Sequence, residues 1–192
     1  MACSEARRFT EEDMPGTGDE PLLIRRYTDR IENVLLRFES MLNLMSCVHV
    51  SSHQFVVEDI SSRKAAAISM GVSKFECDRT YLRGYLLTPG VVLATGGGSV
   101  SLRIPIEVHK GKNDDLIKWP LPHWIKLSVI NPDTGLERSD AVVYTADWLV
   151  SKPVGGSNSG CYAARPSFYL RDLEHDGYVK DDRLLLKYEL IS

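Results

Sequence analysis

Val100-Ser101-Leu102-Arg103-Ile104-Pro105-Ile106-Glu107-Val108-His109 alternates apolar and polar residues without a break. Successive side chains of a strand point to opposite faces, so a period of two predicts one strand over this run, with one buried face. Pro105 has no N–H to give to a ladder, which places that strand at a sheet edge or at a bulge. Further along, Ile125, Leu127 and Val129 alternate up to Asn131-Pro132-Asp133-Thr134-Gly135, whose residue types are those of a turn. At the end of the chain Leu184, Leu186, Tyr188 and Leu190 alternate with Leu185, Lys187, Glu189 and Ile191. Phe55-Val56-Val57, Tyr81 to Leu86, Val142-Val143-Tyr144 and Ser167 to Leu170 supply further strands. Many short strands with almost no second helix predict a mainly β, antiparallel sandwich over residues 47–192. Ala65-Ala66-Ala67-Ile68-Ser69-Met70 offers at most one helical turn. Leu87 to Ser99, with Pro89-Gly90 and Gly96-Gly97-Gly98, reads as a long flexible connection. The glycine run lacks both the following Lys-Ser/Thr and the strand-to-helix context of a phosphate loop.

Ahead of about residue 47 the period is helical. Residues 1–20 form an acidic leader, six carboxylates against Arg7 and Arg8, and Met14-Pro15-Gly16-Thr17-Gly18 is costly to order. Asp19, Glu20 and Pro21 then suit a helix N-terminus, where anions are favoured and a missing N–H costs nothing. Over residues 21–46 a heptad places Ile24, Ile31, Phe38 and Met45 at one core position and Tyr27, Val34 and Met41 at the other. Leu35 and Leu42 widen the stripe, while Arg25, Arg26, Asp29, Arg30, Glu32, Arg37 and Glu39 take mostly other faces. Two arrangements satisfy this stripe: a coiled coil, or an amphipathic helix docked on its own domain.

The 192 residues suffice for about one domain and an appendage. With 43% hydrophobic and 26% charged residues, wholesale disorder and a disulfide-dense miniprotein are excluded. A net charge of −3 supplies no global basic field, so nucleic acid is not an expected partner. No run of 18 apolar residues exists and the first residues lack a secretory pattern, so direct membrane insertion is not expected and the expected location is the cytoplasm. Cys3, Cys47, Cys77 and Cys161 are scattered and read as free thiols. Cys47-Val48-His49 with His53 is the one cluster with a metal-like look, and without a second pair it predicts no metal site; no cofactor is expected. A Cys–His hydrolase using Cys161 with His175 or His123 would need a base within reach and an oxyanion site, and no local signature supplies either. The chain is therefore read as non-enzymatic.

Lys110-Gly111-Lys112-Asn113-Asp114-Asp115-Leu116-Ile117-Lys118-Trp119-Pro120, Ile125-Lys126-Leu127, Asn158-Ser159-Gly160-Cys161 and Gly177-Tyr178-Val179-Lys180-Asp181-Asp182-Arg183-Leu184 follow one another in an order and spacing that resemble the C-terminal, or MATH, domain of the tumour necrosis factor receptor-associated factors. Leu82-Arg83-Gly84-Tyr85-Leu86 is similar to that family's Leu-Arg-x-Tyr-Leu strand. The resemblance implies an eight-stranded antiparallel sandwich behind a trimeric coiled coil. It implies a signalling adaptor that binds short extended peptides of receptor cytoplasmic tails or adaptor proteins along a sheet edge, through strand addition and multivalency. Carried onto this chain, it places peptide contacts at Arg83, Tyr85, Tyr81, Ser159 and Gly160, and self-association as a homotrimer at Ile24, Tyr27, Ile31, Val34, Phe38, Met41 and Met45. On a single strand Tyr81, Arg83 and Tyr85 would form one outward column opposite Leu82 and Leu86; an ordinary solvated strand face is the plain alternative, as a polar loop is for Ser159 and Gly160.

Departures from the family pattern bear on the groove. The family's row of serines is replaced by Asp147-Trp148-Leu149, Pro89 stands near an expected acid, Pro105 stands where an aromatic residue lines the groove, and Val57 is nearest the tryptophan of the first strand. Trp148 reads as core or as a surface anchor. Only Cys3 precedes the helix, so the zinc-binding modules that give relatives ubiquitin ligase activity have no counterpart in this sequence. Two further expectations follow: mixed oligomers with ligase-bearing relatives, or a substrate-recognition module for ubiquitination.

Overall fold

The computed structural model describes residues 20–142, 147–161 and 168–192, with the side chains of 20–23, 43, 47, 142, 147, 148 and 161 excepted. The acidic leader, Val143-Tyr144, Ser167 and the Trp148 side chain lie outside the described residues. The chain divides into two units, Met1–Glu39 and Ser40–Ser192.

Helix α1 runs Glu20–Val48. Its seam residues Ile24, Tyr27, Ile31, Val34, Phe38, Met41 and Met45 are each 55–66% exposed, and none of them belongs to the hydrophobic core.

The remaining chain is mainly β and antiparallel. One sheet has the order β1-β13-β8-β9, with β1 at Ser52–Val57, β8 at Trp124–Ile130, β9 at Glu137–Val142 and β13 at Arg183–Ile191; β12, Val179–Lys180, pairs with β13. A second has the order β10-β7-β4-β3, built from β3 at Thr80–Leu82, β4 at Tyr85–Leu87, β7 at Pro105–His109 and β10 at Ser157–Cys161. In the third, β11-β6-β5-β2, β2 is Val72–Glu76, β5 is Gly90–Gly96, β6 is Ser99–Arg103 and β11 is Phe168–Tyr169. The inward faces share one core: Val100, Leu102, Ile104, Ile106 and Val108 meet Ile125, Leu127 and Val129 and the alternating Leu184, Leu186, Tyr188 and Leu190. Each such fully buried aliphatic residue contributes about 1.5–3 kcal/mol relative to exposure.

Three local expectations are corrected. The run from Val100 is two strands rather than one: Ile104 separates β6 from β7, which belong to different sheets. A proline is tolerated there because the ladder changes partners at that point; the buried face nevertheless continues through the break. Leu87 to Ser99 is mostly strand, since β5 pairs with β6 from Val92↔Arg103 to Gly96↔Ser99. Gly97 and Gly98, at φ 60° and 80°, make the two-residue hairpin turn that only such residues adopt without strain. Third, Ala65–Met70 is the second half of an eleven-residue helix, α2, Ile60–Met70. Two short helices, α3 at Asp147–Val150 and α4 at Leu170–His175, accompany it, so helix is not confined to the N-terminus. Conversely, the Asn131–Gly135 turn forms as expected: Asn131 Oδ1 accepts from the N–H groups of Asp133 and Thr134 at 3.0 and 3.1 Å, and Gly135 has φ 72°.

Candidate protein-interaction site

Strand β10 is the terminal strand of its sheet, antiparallel to β7 with Ser157↔His109, Asn158↔Val108, Ser159↔Glu107 and Gly160↔Ile106. The Glu107 carbonyl accepts from the Thr88 N–H at 3.0 Å, and the Lys110 N–H donates to the Gly156 carbonyl at 2.8 Å. In β7, therefore, Glu107 turns its backbone groups toward β4, and the alternate residues Ile106 and Val108 turn theirs toward β10. It follows that Asn158 and Gly160 carry the ladder, while Ser157 and Ser159 direct N–H and C=O away from the sheet, where no described residue bonds them. Both serines are exposed. Asn158 ties the strand down by donating from Nδ2 to the Ser151 carbonyl at 2.8 Å. Among the described residues, the result is a short edge with small side chains and outward backbone groups, a template for an added strand. The β2 edge contrasts with it, being flanked by the charged Lys74 and Glu76, whose ammonium and carboxylate pair, with Arg63 Nη1 3.5 Å from the Lys74 carbonyl.

The other expected contacts lie elsewhere. Leu82-Arg83-Gly84-Tyr85-Leu86 is not one strand but the tip of the β3–β4 hairpin, with Leu82↔Tyr85 and Tyr81↔Leu86 paired. Arg83 and Gly84, at φ 48° and 88°, form its two-residue turn. The expected Tyr-Arg-Tyr column therefore does not exist, because the turn folds Tyr85 back beside Leu82 and puts both in the core. Tyr85 is 3% exposed, donates its hydroxyl proton to the Lys118 carbonyl, and stands edge-on to Trp119 at 5.2 Å; burial raises its pKa. Arg83 is half-buried, its N–H bonded to the Val50 carbonyl at 2.7 Å and its Nε to the Leu190 carbonyl at 2.9 Å. Tyr81 accepts from the Lys112 N–H at 3.0 Å. Tyr81 and Ser159 occupy opposite edges of the same four-stranded sheet, about 14 Å apart by strand spacing. The structure thus brings Ser159 and Gly160 together and separates Tyr81, Arg83 and Tyr85 from them.

Sequence reading missed a polar cluster on β7. His109, 3% exposed, has Nε2 2.6 Å from Thr88 Oγ1 and 3.5 Å from Glu107 Oε1, and Lys74 Nζ lies 3.7 Å from Glu107 Oε2. Burial, then a hydrogen bond with Glu76, raises the Glu107 pKa; the Lys74 hydrogen bond lowers that of Glu76; burial, then Arg79, lowers that of His109. Of the two carboxylates, Glu107 therefore has the greater proton affinity. The only signal in the sequence was the alternation that put Glu107 and His109 on the face opposite the core.

For catalysis the described residues offer little. Cys77 is half-buried, and burial followed by the charge of Asp78 pushes its thiol up to about 11, which leaves little thiolate at neutral pH. The Cys161 and Cys47 side chains lie outside the described residues, and no group of three metal-ligating side chains occurs among those described. No helix among the described residues is long and apolar enough to cross a membrane.

Among the described residues, β10 is an edge strand of this sandwich that no other strand covers. The family model for the TRAF/meprin MATH domain matches residues 73–187, and the chain belongs to that family. Among solved structures it is similar to TRAF5 of Notothenia coriiceps, at 18% identity and a TM-score of 0.58, covering 91% of this chain and 90% of that one. No curated protein matches.

Proposed function

We propose that the chain is a non-catalytic, trimeric signalling adaptor that binds short extended peptides from receptor tails or adaptor proteins by strand addition to β10. The observation that carries the reading is the outward-directed backbone of Ser157 and Ser159 on that edge, which no described residue bonds. Backbone hydrogen bonds to the two serines supply general affinity, and the close approach allowed by Gly160 and the serine side chains lets the peptide lie flat. Its peptide contacts are Ser159 and Gly160; Arg83 and Tyr85 hold the hairpin, and Tyr81 belongs to the far edge. Single contacts of this kind are weak, and the α1 seam Ile24, Tyr27, Ile31, Val34, Phe38, Met41 and Met45 raises avidity by gathering three edges. The same seam admits mixed oligomers with ligase-bearing relatives.

The test is an array of receptor-tail and adaptor peptides probed with the full chain and with Ser159→Pro. Proline there deletes an outward N–H and leaves the bonds of Asn158 and Gly160 to β7 in place. A loss of tenfold or more in affinity, with unchanged thermal stability, is the expected result; unchanged binding overturns the edge assignment.

A further inference from the structure

Paired residues of an antiparallel ladder share a face, so Ser159 and Ser157 on β10 stand on the same face as their β7 partners Glu107 and His109. On that face two carboxylates meet one ammonium: Lys74 Nζ pairs with Glu76 Oε1 and lies 3.7 Å from Glu107 Oε2. His109 supplies no second charge at neutral pH, because burial and the charge of Arg79 lower its pKa, and its Nε2 is engaged at 2.6 Å with Thr88 Oγ1. Glu107 is the carboxylate short of a cation, and burial and the hydrogen bond with Glu76 raise its proton affinity accordingly. The structure also shows how far a lysine reaches here. The Cys77 N–H bonds the Pro89 carbonyl and the Thr88 N–H bonds the Glu107 carbonyl, so the strand bearing Lys74 and Glu76 runs two strand spacings from β7, about 9.6 Å. Lys74 spans that distance across a strand in which Gly90, the partner of Glu76, has no side chain to obstruct it.

We infer that the strand received by β10 is a cationic one, with a lysine or arginine opposite Ser159 reaching over that serine to the Glu107 carboxylate. This rests on the reading of β10 as the peptide edge and names the class of peptide that the edge takes. Ser159 turns its N–H and C=O outward, so the residue opposite it forms the hydrogen-bonded pair of an antiparallel ladder, and its side chain falls on the Glu107 face. An added strand lies two spacings from β7, as β2 does on the other side, and Ser159, like Gly90, is small enough to be crossed. The incoming cation then stands to Glu107 as Lys74 does, and two cations face two carboxylates. Glu107 is 20% exposed, a partly desolvated position in which a charge pair is screened less than on open surface. An aspartate or glutamate opposite Ser159 would meet like charge instead, so the same carboxylates select against acidic peptides.

The experiment is an array of short peptides, random except for one position fixed in turn as Lys, Arg, Gln or Glu, probed with the full chain and with Glu107→Gln, Glu107→Lys and Ser159→Pro, and followed by fluorescence titration of the selected peptides. The expected result is selection of Lys or Arg at one position, with binding to the parent weakened at least tenfold when that cation becomes Gln. Glu107→Gln is expected to bind both versions alike, Glu107→Lys to prefer the version with Glu, and Ser159→Pro to bind neither. Glu107→Gln keeps the shape of the side chain, so the test stands even where Glu107→Lys does not fold. Selected peptides that are lost in Ser159→Pro but indifferent to charge at every position overturn the cation subsite and leave the β10 edge standing. A cation preference unchanged in Glu107→Gln belongs to other carboxylates and overturns the assignment. A preference that survives Ser159→Pro and vanishes in Glu107→Gln overturns delivery of the cation by an added strand, and the edge reading with it. Selection of no peptide by the parent overturns both.

Discussion

Arg83 has the residue type of a recognition side chain and the surroundings of a structural one. It sits at φ 48°, a region most side chains avoid, and its two hydrogen bonds end on the carbonyls of Val50 and Leu190. Truncation in Arg83→Ala removes the charge-assisted bond to Leu190 and is expected to lower stability by about 1–3 kcal/mol, with peptide affinity changed less than twofold. Denaturant unfolding and peptide titration of the same variant separate the two effects. A tenfold affinity loss at unchanged stability would return Arg83 to the binding site. Gly90 shows the opposite economy of space: a Cβ there would press on the Phe75 carbonyl oxygen and lie 3.3 Å from the Glu76 Cα, so glycine is required where β5 passes β2. The Arg-Gly-Tyr triplet could be read as strand or turn from its letters alone, since the two glycine-compatible φ values become visible only when Leu82 and Tyr85 are seen paired.

At the scale of elements, α2 explains itself only through β12 and β13. Its own N-cap, Asp59, makes no side-chain cap bond. The first free N–H groups are met instead from the turn between those strands: Ile60 donates to the Asp182 carbonyl at 3.1 Å, and the Ser61 N–H and Oγ donate to Asp182 Oδ1 at 2.8 and 2.7 Å. Those bonds from Ser61 hold the Asp182 pKa below its ordinary value. The unfolded chain then binds a proton more readily than the folded one, so stability is full above about pH 3.9 and falls as the pH drops from there through the depressed folded value. Asp182→Asn is expected to be less stable than the parent at neutral pH, with the gap closing in acid. Unfolding midpoints from pH 7 down to pH 2 check this, and a gap that stays constant with pH would remove the carboxylate from the cap. The partner is 121 positions away in sequence, which is why three alanines read alone predicted a single turn.

At the scale of the molecule, the two units suggest a division of labour between assembly and recognition. The full chain is expected to scatter light with three times the 21.5 kDa protomer mass, and a chain beginning at Ser40 is expected to have the mass of one protomer. Equal masses for both would move self-association into Ser40–Ser192. The alternating faces of β6, β7, β8 and β13, the heptad of α1 and the Asn131 turn were legible from the sequence, because each is a local period or a local hydrogen bond that neighbouring residues impose on one another. What the tertiary structure alone decided was which sheet each strand joined, that Ile104 separates two sheets, that Arg83-Gly84 is a turn, that α2 extends to eleven residues, and that Ser159 rather than Tyr81 lies on the open β10 edge. Each of these depends on partners distant in sequence, and strand pairing, remote capping and burial are energies of pairs that no single stretch of residues contains.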